Sequence, residues 1–365
     1  MMSKIHVLIV DDAVVVRSRL SKLLALDPNF EVAGVAATGR VALAKIPQVN
    51  PDVVILDVEM PDMNGLETLA AIRQSYPDLP VIMFSTQTHT GAAATLDALA
   101  LGASDYATKP SQLGSVEAAN QHIQKTLFPK IKFFGTKIAL SPVVDSAKVA
   151  PAKIQSFRQV RSDQSTIDIL AIGVSTGGPN ALGLLLPKLP KTFPIPIVIV
   201  QHMPPMFTKL MAERLATKCQ LHVAEAYSGA PLTPGMIWIA PGDHHIEVTK
   251  SGAQMQLTAH QAPPENFCRP SVDVLFRSIA QHYKARSLGI ILTGMGQDGL
   301  RGCESIRNVG GQILAQDEAS SVVWGMPGFV VHAGLADAVV PLEAMSIEIL
   351  RRVDCTSLTV HREFL

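Results

Sequence analysis

The chain has 365 residues with 31 Lys and Arg against 31 Asp and Glu, so its net charge is zero, while 47% of residues are hydrophobic and 17% charged. At roughly 150 residues per domain this length predicts two or so domains, each able to bury a core, and the composition excludes a chiefly disordered chain. A dedicated nucleic-acid binder would carry a basic excess, and no apolar stretch approaches the roughly 20 residues that span a bilayer. Neither nucleic-acid binding nor membrane insertion is expected. The start, Met1-Met2-Ser3-Lys4, runs directly into a strand-like Ile5 to Val10 without a signal-peptide core, which predicts a cytoplasmic location. Cys219, Cys268, Cys303 and Cys355 form no Cys-x-x-Cys pair and read as free core thiols.

From Ile5 to about Leu127, short apolar runs alternate with helical patterns: strands at Ile5 to Val10, Phe30 to Val35, Val53 to Leu56 and Val81 to Phe84, helices between them, and a last helix at Val116 to Leu127. Such alternation predicts parallel βαβ units. Near-continuous apolar strands are those of a sheet covered by helices on both faces. Between Phe128 and Thr166 the pattern breaks into Ser, Pro, Ala, Lys and Gln, which reads as a linker. Alternation resumes with a strand at Ile167 to Gly173, a helix after Pro179, a strand at Ile197 to Val200 and a helix at Phe207 to Ala216. Met236 to Ala240 and His244 to Thr249 resemble a β-hairpin insertion around Pro241-Gly242; a helix at Val272 to Gln281, a strand at Leu288 to Leu292 and a helix at Gly299 to Arg307 follow. The expected fold class is α/β, two doubly wound parallel-sheet domains: 1–127, a linker at 128–166, and 167–365.

Charge is uneven along the chain. Residues 1–125 hold 9 basic and 13 acidic side chains, residues 126–166 hold 7 and 2, and residues 167–365 hold 15 and 16, so the zero is a sum of −4, +5 and −1.

Ligands of open parallel sheets collect at the carboxyl ends of strands. Here Asp11 and Asp12 end the first strand, Asp57 ends the third, Ser85 the fourth and Lys109, followed by Pro110, the fifth. Three converging carboxylates call for a hard divalent cation. A carboxylate beside such a cation and an ammonium group is arranged to accept a phosphoryl group.

The second domain opens with Gly173-Val174-Ser175-Thr176-Gly177-Gly178-Pro179 after a strand. This satisfies Gly-x-Ser-x-Gly, a sharp strand-to-helix turn that exposes a serine hydroxyl; the same turn could cradle a phosphate. Of eleven histidines, His202 alone directly follows a strand expected beside the serine's, whereas His244 and His245 suit a turn or metal contact. Asp298, in Thr293-Gly294-Met295-Gly296-Gln297-Asp298-Gly299, is the candidate acid, or an N-cap of the following helix. That loop and the Thr176 amide could offer N–H groups to an oxyanion. The order Ser175, His202, Asp298 differs from the Ser, Asp, His order of α/β-hydrolases.

The first domain resembles the response-regulator receiver domain, on Asp11-Asp12, Leu56-Asp57-Val58-Glu59-Met60-Pro61, Gly65, Ser85 and Thr108-Lys109-Pro110. The second is similar to the catalytic domain of chemotaxis protein-glutamate methylesterases, on Ser175-Thr176-Gly177-Gly178-Pro179, Gln201-His202-Met203-Pro204, Ala240-Pro241-Gly242-Asp243-His244 and the Thr-Gly-Met-Gly-x-Asp-Gly loop. The resemblance implies a flavodoxin-like receiver and a Rossmann-like serine hydrolase. It implies Asp57 as phosphoacceptor, Mg²⁺ held by Asp11, Asp12, Asp57 and the Glu59 carbonyl, and Ser85, Tyr106 and Lys109 as the switch. In the hydrolase it implies Ser175, His202 and Asp298 as the triad, oxyanion donors at Thr176 and Met295, and no cofactor. The implied substrates are glutamate γ-methyl esters, and receptor glutamines, of methyl-accepting chemoreceptors. A chemotaxis histidine kinase is the implied phosphodonor. We expect a monomer in which the unphosphorylated receiver covers the Ser175 cleft. A receiver-linked transcription factor is the rival class, disfavoured because no compact helix-turn-helix with clustered Lys and Arg is present.

Overall fold

The computed structural model describes residues 4–110, 115–139, 155–156 and 166–353. The chain forms two compact units, Met1–Lys148 and Val149–Leu365. The first alternates β1 (Ile5–Val10), α1 (Val14–Ala25), β2 (Phe30–Ala36), α2 (Gly39–Val49), β3 (Val53–Asp57), α3 (Gly65–Ser75), β4 (Val81–Ser85), α4 (His89–Ala100), β5 (Asp105–Thr108) and α5 (Val116–Thr126), then adds α6 (Phe128–Ala139). The sheet is parallel with order β2-β1-β3-β4-β5. Its strand order reverses between β1 and β3, and a cleft opens at their carboxyl ends.

Local chemistry starts most of these helices. The side chains of Thr38, Asn64, Thr88 and Ser115 each accept a backbone N–H of the first helical turn, and Asn64 with Glu67 closes a full capping box. Each such cap is worth about 1 kcal/mol. Gly65 has a further task, because a Cβ there would lie 2.2 Å from the Asp57 carbonyl oxygen. Only glycine lets α3 start against the end of β3.

The boundary at 127 was expected to begin a linker, and this is corrected. Phe128, Ile131 and Phe134 share one face of α6 and are buried, packed against α5, β1 and β3. Phe128 meets Phe30 edge to face at 5.1 Å. Pro129 sits in the first helical turn, where a missing N–H costs nothing. The intervening lysines hid the apolar face in the composition, and one of them, Lys130, binds Asp105 Oδ2 and the Tyr106 carbonyl, each at 2.7 Å. Residues 140–154 and 157–165 of the expected linker lie outside the described residues.

The second unit contains β6 (Gln155–Ser156), β7 (Ile169–Val174), α7 (Gly178–Leu185), β8 (Ile197–Gln201), α8 (Phe207–Ala216), β9 (His222–Glu225), β10 (Ala230–Pro231), β11 (Met236–Ile239), β12 (His245–Ser251), β13 (Gln254–His260), α9 (Val272–Tyr283), β14 (Ser287–Ile291), α10 (Leu300–Asn308), β15 (Gln312–Gln316), α11 (Met326–His332), β16 (Ala338–Val340) and α12 (Leu342–Arg352). Its main sheet runs β6-β16-β15-β14-β7-β8-β11-β9, with only β6 antiparallel among the described strands. The order reverses between β7 and β14.

The hairpin lies one strand later than expected. Met236-Ile237-Trp238-Ile239 is a continuous apolar run, and its last three residues are buried; it enters the main sheet between β8 and β9. The hairpin is β12 with β13, antiparallel from His245↔His260 to Ser251↔Gln254, and β10 pairs along it. These strands alternate polar and apolar residues, as a sheet with one covered face requires.

If α6 belongs to the receiver core, Ile131→Ala in a fragment of residues 1–139 lowers stability by about 2–5 kcal/mol. Urea denaturation reads this as a lower midpoint at unchanged slope. An unmoved midpoint would show that the helix packs without contributing.

Candidate active site and phosphoacceptor pocket

In the first unit, β1 and β3 carry Asp11 and Asp57 to the switch point, where both are buried. Lys109, at the end of β5, places its Nζ 2.8 Å from Asp11 Oδ2 and 2.8 Å from Asp57 Oδ2. Burial pushes the Asp57 carboxyl up to about 6, opposed by Lys109 and reinforced by the Asp11 charge. Asp12 is exposed, and carboxylate oxygens of Asp11, Asp12 and Asp57 all lie within 4.8 Å of one another. Three carboxylates around one ammonium leave an excess of negative charge and a set of hard oxygen donors, which fits a divalent cation. Asp12 and Glu59 also line one cavity of about 450 Å³, with Met60 and Asn64. Ser85 is buried beside this group and donates from Oγ to the Gly91 carbonyl at 3.0 Å. Tyr106 is buried too, with Lys130 Nζ 5.1 Å from its ring centre.

In the second unit, Ser175, His202 and Asp298 follow the carboxyl ends of β7, β8 and β14, three adjacent strands. The serine turn is pinned from all sides. Ser175 N–H donates to the Thr293 carbonyl at 3.0 Å, and the Ser175 carbonyl accepts from Gly178 N–H at 2.8 Å and Gln201 Nε2 at 2.9 Å. Thr293 Oγ1 donates to the Thr176 carbonyl at 2.9 Å, which joins the serine turn to the Thr293–Asp298 loop. Gly294 is required by this approach: a Cβ there would sit 2.8 Å from the Ser175 Cβ. Met295, next to it, is half-buried.

His202 Nε2 is 2.8 Å from Asp298 Oδ2. The acid is not the N-cap of its own following helix, since Gly299 holds that position without a side-chain cap. Instead it caps α9 from outside. Asp298 accepts from Ser271 Oγ at 2.7 Å, Val272 N–H at 2.7 Å, Asp273 N–H at 3.2 Å and Asn266 Nδ2 at 2.8 Å. Burial works against its charge, but the hydrogen bond and charge of His202, with those of Ser271 and Val272, hold the carboxyl at about 2.

Sequence reading missed the partner on the other side of the ring. Cys268 Sγ lies 3.7 Å from His202 Nδ1, so the expectation of free core thiols holds for buried Cys303 but not for half-buried Cys268; Cys355 lies outside the described residues. Burial opposes the imidazolium, yet the Cys268 charge and the Asp298 hydrogen bond raise His202 to about 10. Among the described residues, Asp298 and Cys268 are the hydrogen-bond partners of this ring, and the Ser175 hydroxyl is not. Catalytic hydrogen bonds commonly tighten only once substrate is bound. The local signal was a run of polar and reactive residues, Glu265-Asn266-Phe267-Cys268-Arg269, just before a helix. His245, the other candidate, is buried, bonds the Pro263 carbonyl at 3.1 Å and accepts from Ser271 N–H at 3.2 Å, so it fastens backbone. His244 bonds the Gly242 carbonyl.

A phosphoacceptor-type pocket on one sheet and a serine, histidine and aspartate on a second define the class, a response regulator whose effector is a hydrolase. Family models agree with both halves: the response regulator receiver domain matches residues 7–121, and CheB methylesterase matches residues 170–349. A protein-glutamate methylesterase/protein-glutamine glutaminase of Trichodesmium erythraeum is 54% identical, over 96% of this chain and 100% of that protein. One from a Nocardioides species is 48% identical, over 96% of each. The crystal structure of the Thermotoga maritima CheB methylesterase catalytic domain is 40% identical and covers 51% of this chain and 99% of its own, with a TM-score of 0.50. The chain belongs to the protein-glutamate methylesterase/protein-glutamine glutaminase family. No described helix is long and apolar enough to cross a membrane.

Because Cys268 raises the His202 pKa, Cys268→Ala lowers it, and the imidazole becomes neutral at lower pH. An NMR titration of ring-labelled histidine should show the His202 midpoint moving down in the variant. An unchanged midpoint would mean that Asp298 alone sets it.

Proposed function

We propose that the chain hydrolyses glutamate γ-methyl esters on the cytoplasmic region of chemoreceptors, releasing methanol, and deamidates receptor glutamines, with phosphorylation of Asp57 by a chemotaxis histidine kinase raising the rate. The observation that carries this reading is the His202–Asp298 pair, with Asp298 buried and His202 half-buried, at a sheet's switch point one strand from a serine on a glycine-rich turn. It is supported by full-length relatives named for both activities.

In this reading the His202 ring exchanges Cys268 for Ser175 as substrate binds, and losing the Cys268 charge lowers its pKa so that Nδ1 is free to act as a base. Ser175 Oγ then attacks the ester carbonyl carbon while His202 Nδ1, the nitrogen turned away from Asp298, takes the hydroxyl proton. Asp298 stays ionised throughout and stabilises the imidazolium. The tetrahedral oxyanion is received by the amides of Thr176 and Met295, each such donor being worth about 10²–10³ in kcat. The carbon–oxygen bond then breaks and methanol leaves with the proton from His202. Water, deprotonated by the same nitrogen, cleaves the acyl-enzyme to free glutamate and Ser175. A glutamine side chain follows the same course with ammonia as leaving group.

In the receiver, an Asp57 carboxylate oxygen attacks the phosphorus of the donor's phosphohistidine, the phosphorus–nitrogen bond breaks, and the donor imidazole leaves with the electron pair. Asp11, Asp12, Asp57 and the Glu59 carbonyl would hold Mg²⁺, which when bound neutralises charge on the phosphoryl oxygens. Lys109 moves its ammonium onto the new phosphate. Ser85 then exchanges the Gly91 carbonyl for a phosphoryl oxygen, and Tyr106 completes the switch by a population shift. In this reading the unphosphorylated receiver holds the hydrolase rate down, and phosphorylation relieves that inhibition.

Ser175→Ala should lower methanol release from methylated receptor membranes by about 10⁴-fold or more; equal release from both proteins would sink the serine mechanism. Residues 166–365 alone should outpace the unphosphorylated full chain, and a fragment no faster than that chain would show that the receiver does not inhibit. Asp57→Asn should keep the basal rate yet gain nothing from a small-molecule phosphodonor, and EDTA should abolish the gain in the unaltered chain. Stimulation that survives both treatments would place the phosphate elsewhere.

A further inference from the structure

Between the β12–β13 hairpin and α9 the chain makes a tight turn at Glu265–Arg269. Glu265 and Cys268 exchange backbone hydrogen bonds of 3.1 and 2.8 Å, and the two residues between them take left-handed backbone, Asn266 at φ 52° and Phe267 at φ 62°. Asparagine tolerates that region; for a bulky side chain it is an outlier. Phe267 is also 98% exposed. A phenyl ring held in water on strained backbone adds nothing to the folded chain, and such strain persists only where its surroundings over-determine it.

Here they do. Arg277 grips Glu265 through two 2.6 Å bonds, and Arg269 Nε is 2.9 Å from Asp243. Asn266 Nδ2 binds both Asp273 and Asp298 at 2.8 Å. Phe267 thus stands between Asn266, which holds the Asp298 carboxylate, and Cys268, which touches His202. The His202 loop repeats the device, for Met206, four residues further on, is exposed and has φ 72°. Two loops at one catalytic centre each bend backbone out of its preferred range to present an apolar side chain to solvent.

We infer that Phe267 is a specificity-determining contact, whose ring packs on an apolar side chain of the polypeptide flanking the glutamate to be hydrolysed. This rests on the hydrolase reading above and adds how a protein substrate is gripped next to the reacting carbonyl. The backbone that carries the ring is pinned on both sides, so little main-chain freedom is lost on contact, which favours an aromatic anchor in protein recognition. Met206 contributes to the same apolar rim from the other loop.

The test uses the full chain treated with a small-molecule phosphodonor and methylated receptor membranes as substrate, with methanol as readout. Phe267→Ala and Phe267→Gly should raise KM about tenfold with kcat within about twofold, and Phe267→Trp should restore the low KM. Phe267→Gly should also melt at the same temperature or higher, because glycine takes φ 62° without strain. An unchanged KM overturns the assignment. A fall in kcat at unchanged KM, or a lower melting temperature for Phe267→Gly, would make the turn merely structural. A raised basal rate of the unphosphorylated variant would make the ring an inhibitory contact, which also overturns it. Ser175→Ala run in parallel separates these outcomes from failure of the underlying reading, since only that failure leaves methanol release intact without the serine.

Discussion

Asp298 is a buried carboxylate that accepts hydrogen bonds from five donors: His202 from the β8 loop, Asn266 from the turn before α9, and, at the start of α9, Ser271 and the backbone of Val272 and Asp273. An isolated charge at such a depth would cost several kcal/mol. Two of the donors are the first N–H groups of α9, whose positive end favours an anion, and the rest come from the side chains of His202, Asn266 and Ser271. Asp273 extends the arrangement by accepting from Gly302 N–H at 2.6 Å at the start of α10. One charge thereby sets the position of the His202 imidazole, the turn before α9 and the approach of two helices. Removing it would loosen all of them together, so chemistry and folding in this unit cannot be tuned independently at this residue.

The receiver solves the opposite electrostatic problem. There the charges are alike, and Lys109 is the group that makes Asp11 and Asp57 tolerable beside each other. The raised Asp57 carboxyl shows that a single ammonium does not fully compensate for burial. The pocket therefore already holds an ammonium group between its two buried carboxylates, the cationic partner that an added anionic group on Asp57 would need.

Much of this was legible because both units are parallel sheets. In such a sheet the strand ends face one cleft, so residues directly after an apolar run, Asp11, Asp57, Lys109, Ser175 and His202, could be placed without coordinates. Asp298 was legible as a candidate only, because its identity as acid or cap depends on which helix its oxygens face, and that helix, α9, precedes it by 26 residues. Cys268 was invisible for a related reason: it belongs to no strand end and reaches His202 through an irregular turn. The α6 helix escaped because its three-residue apolar face is diluted by lysines and proline, and because its helical state depends on a surface of β1 and β3 that no local window contains. The displaced hairpin has the same origin. A continuous apolar strand and an alternating one differ in how many faces are covered, and that is a property of the neighbours.

The glycine at 294 carries a consequence for descent. Every change of a glycine to another amino acid adds at least a Cβ, and here that atom would lie 2.8 Å from the Ser175 Cβ. The atom it would meet first, Met326 Sδ at 2.4 Å, is buried, and Ser175 is itself tied to Thr293 and Gln201. Lineages of this chain can drift across most of the helical surface, but at this residue no stepwise route passes through a working intermediate.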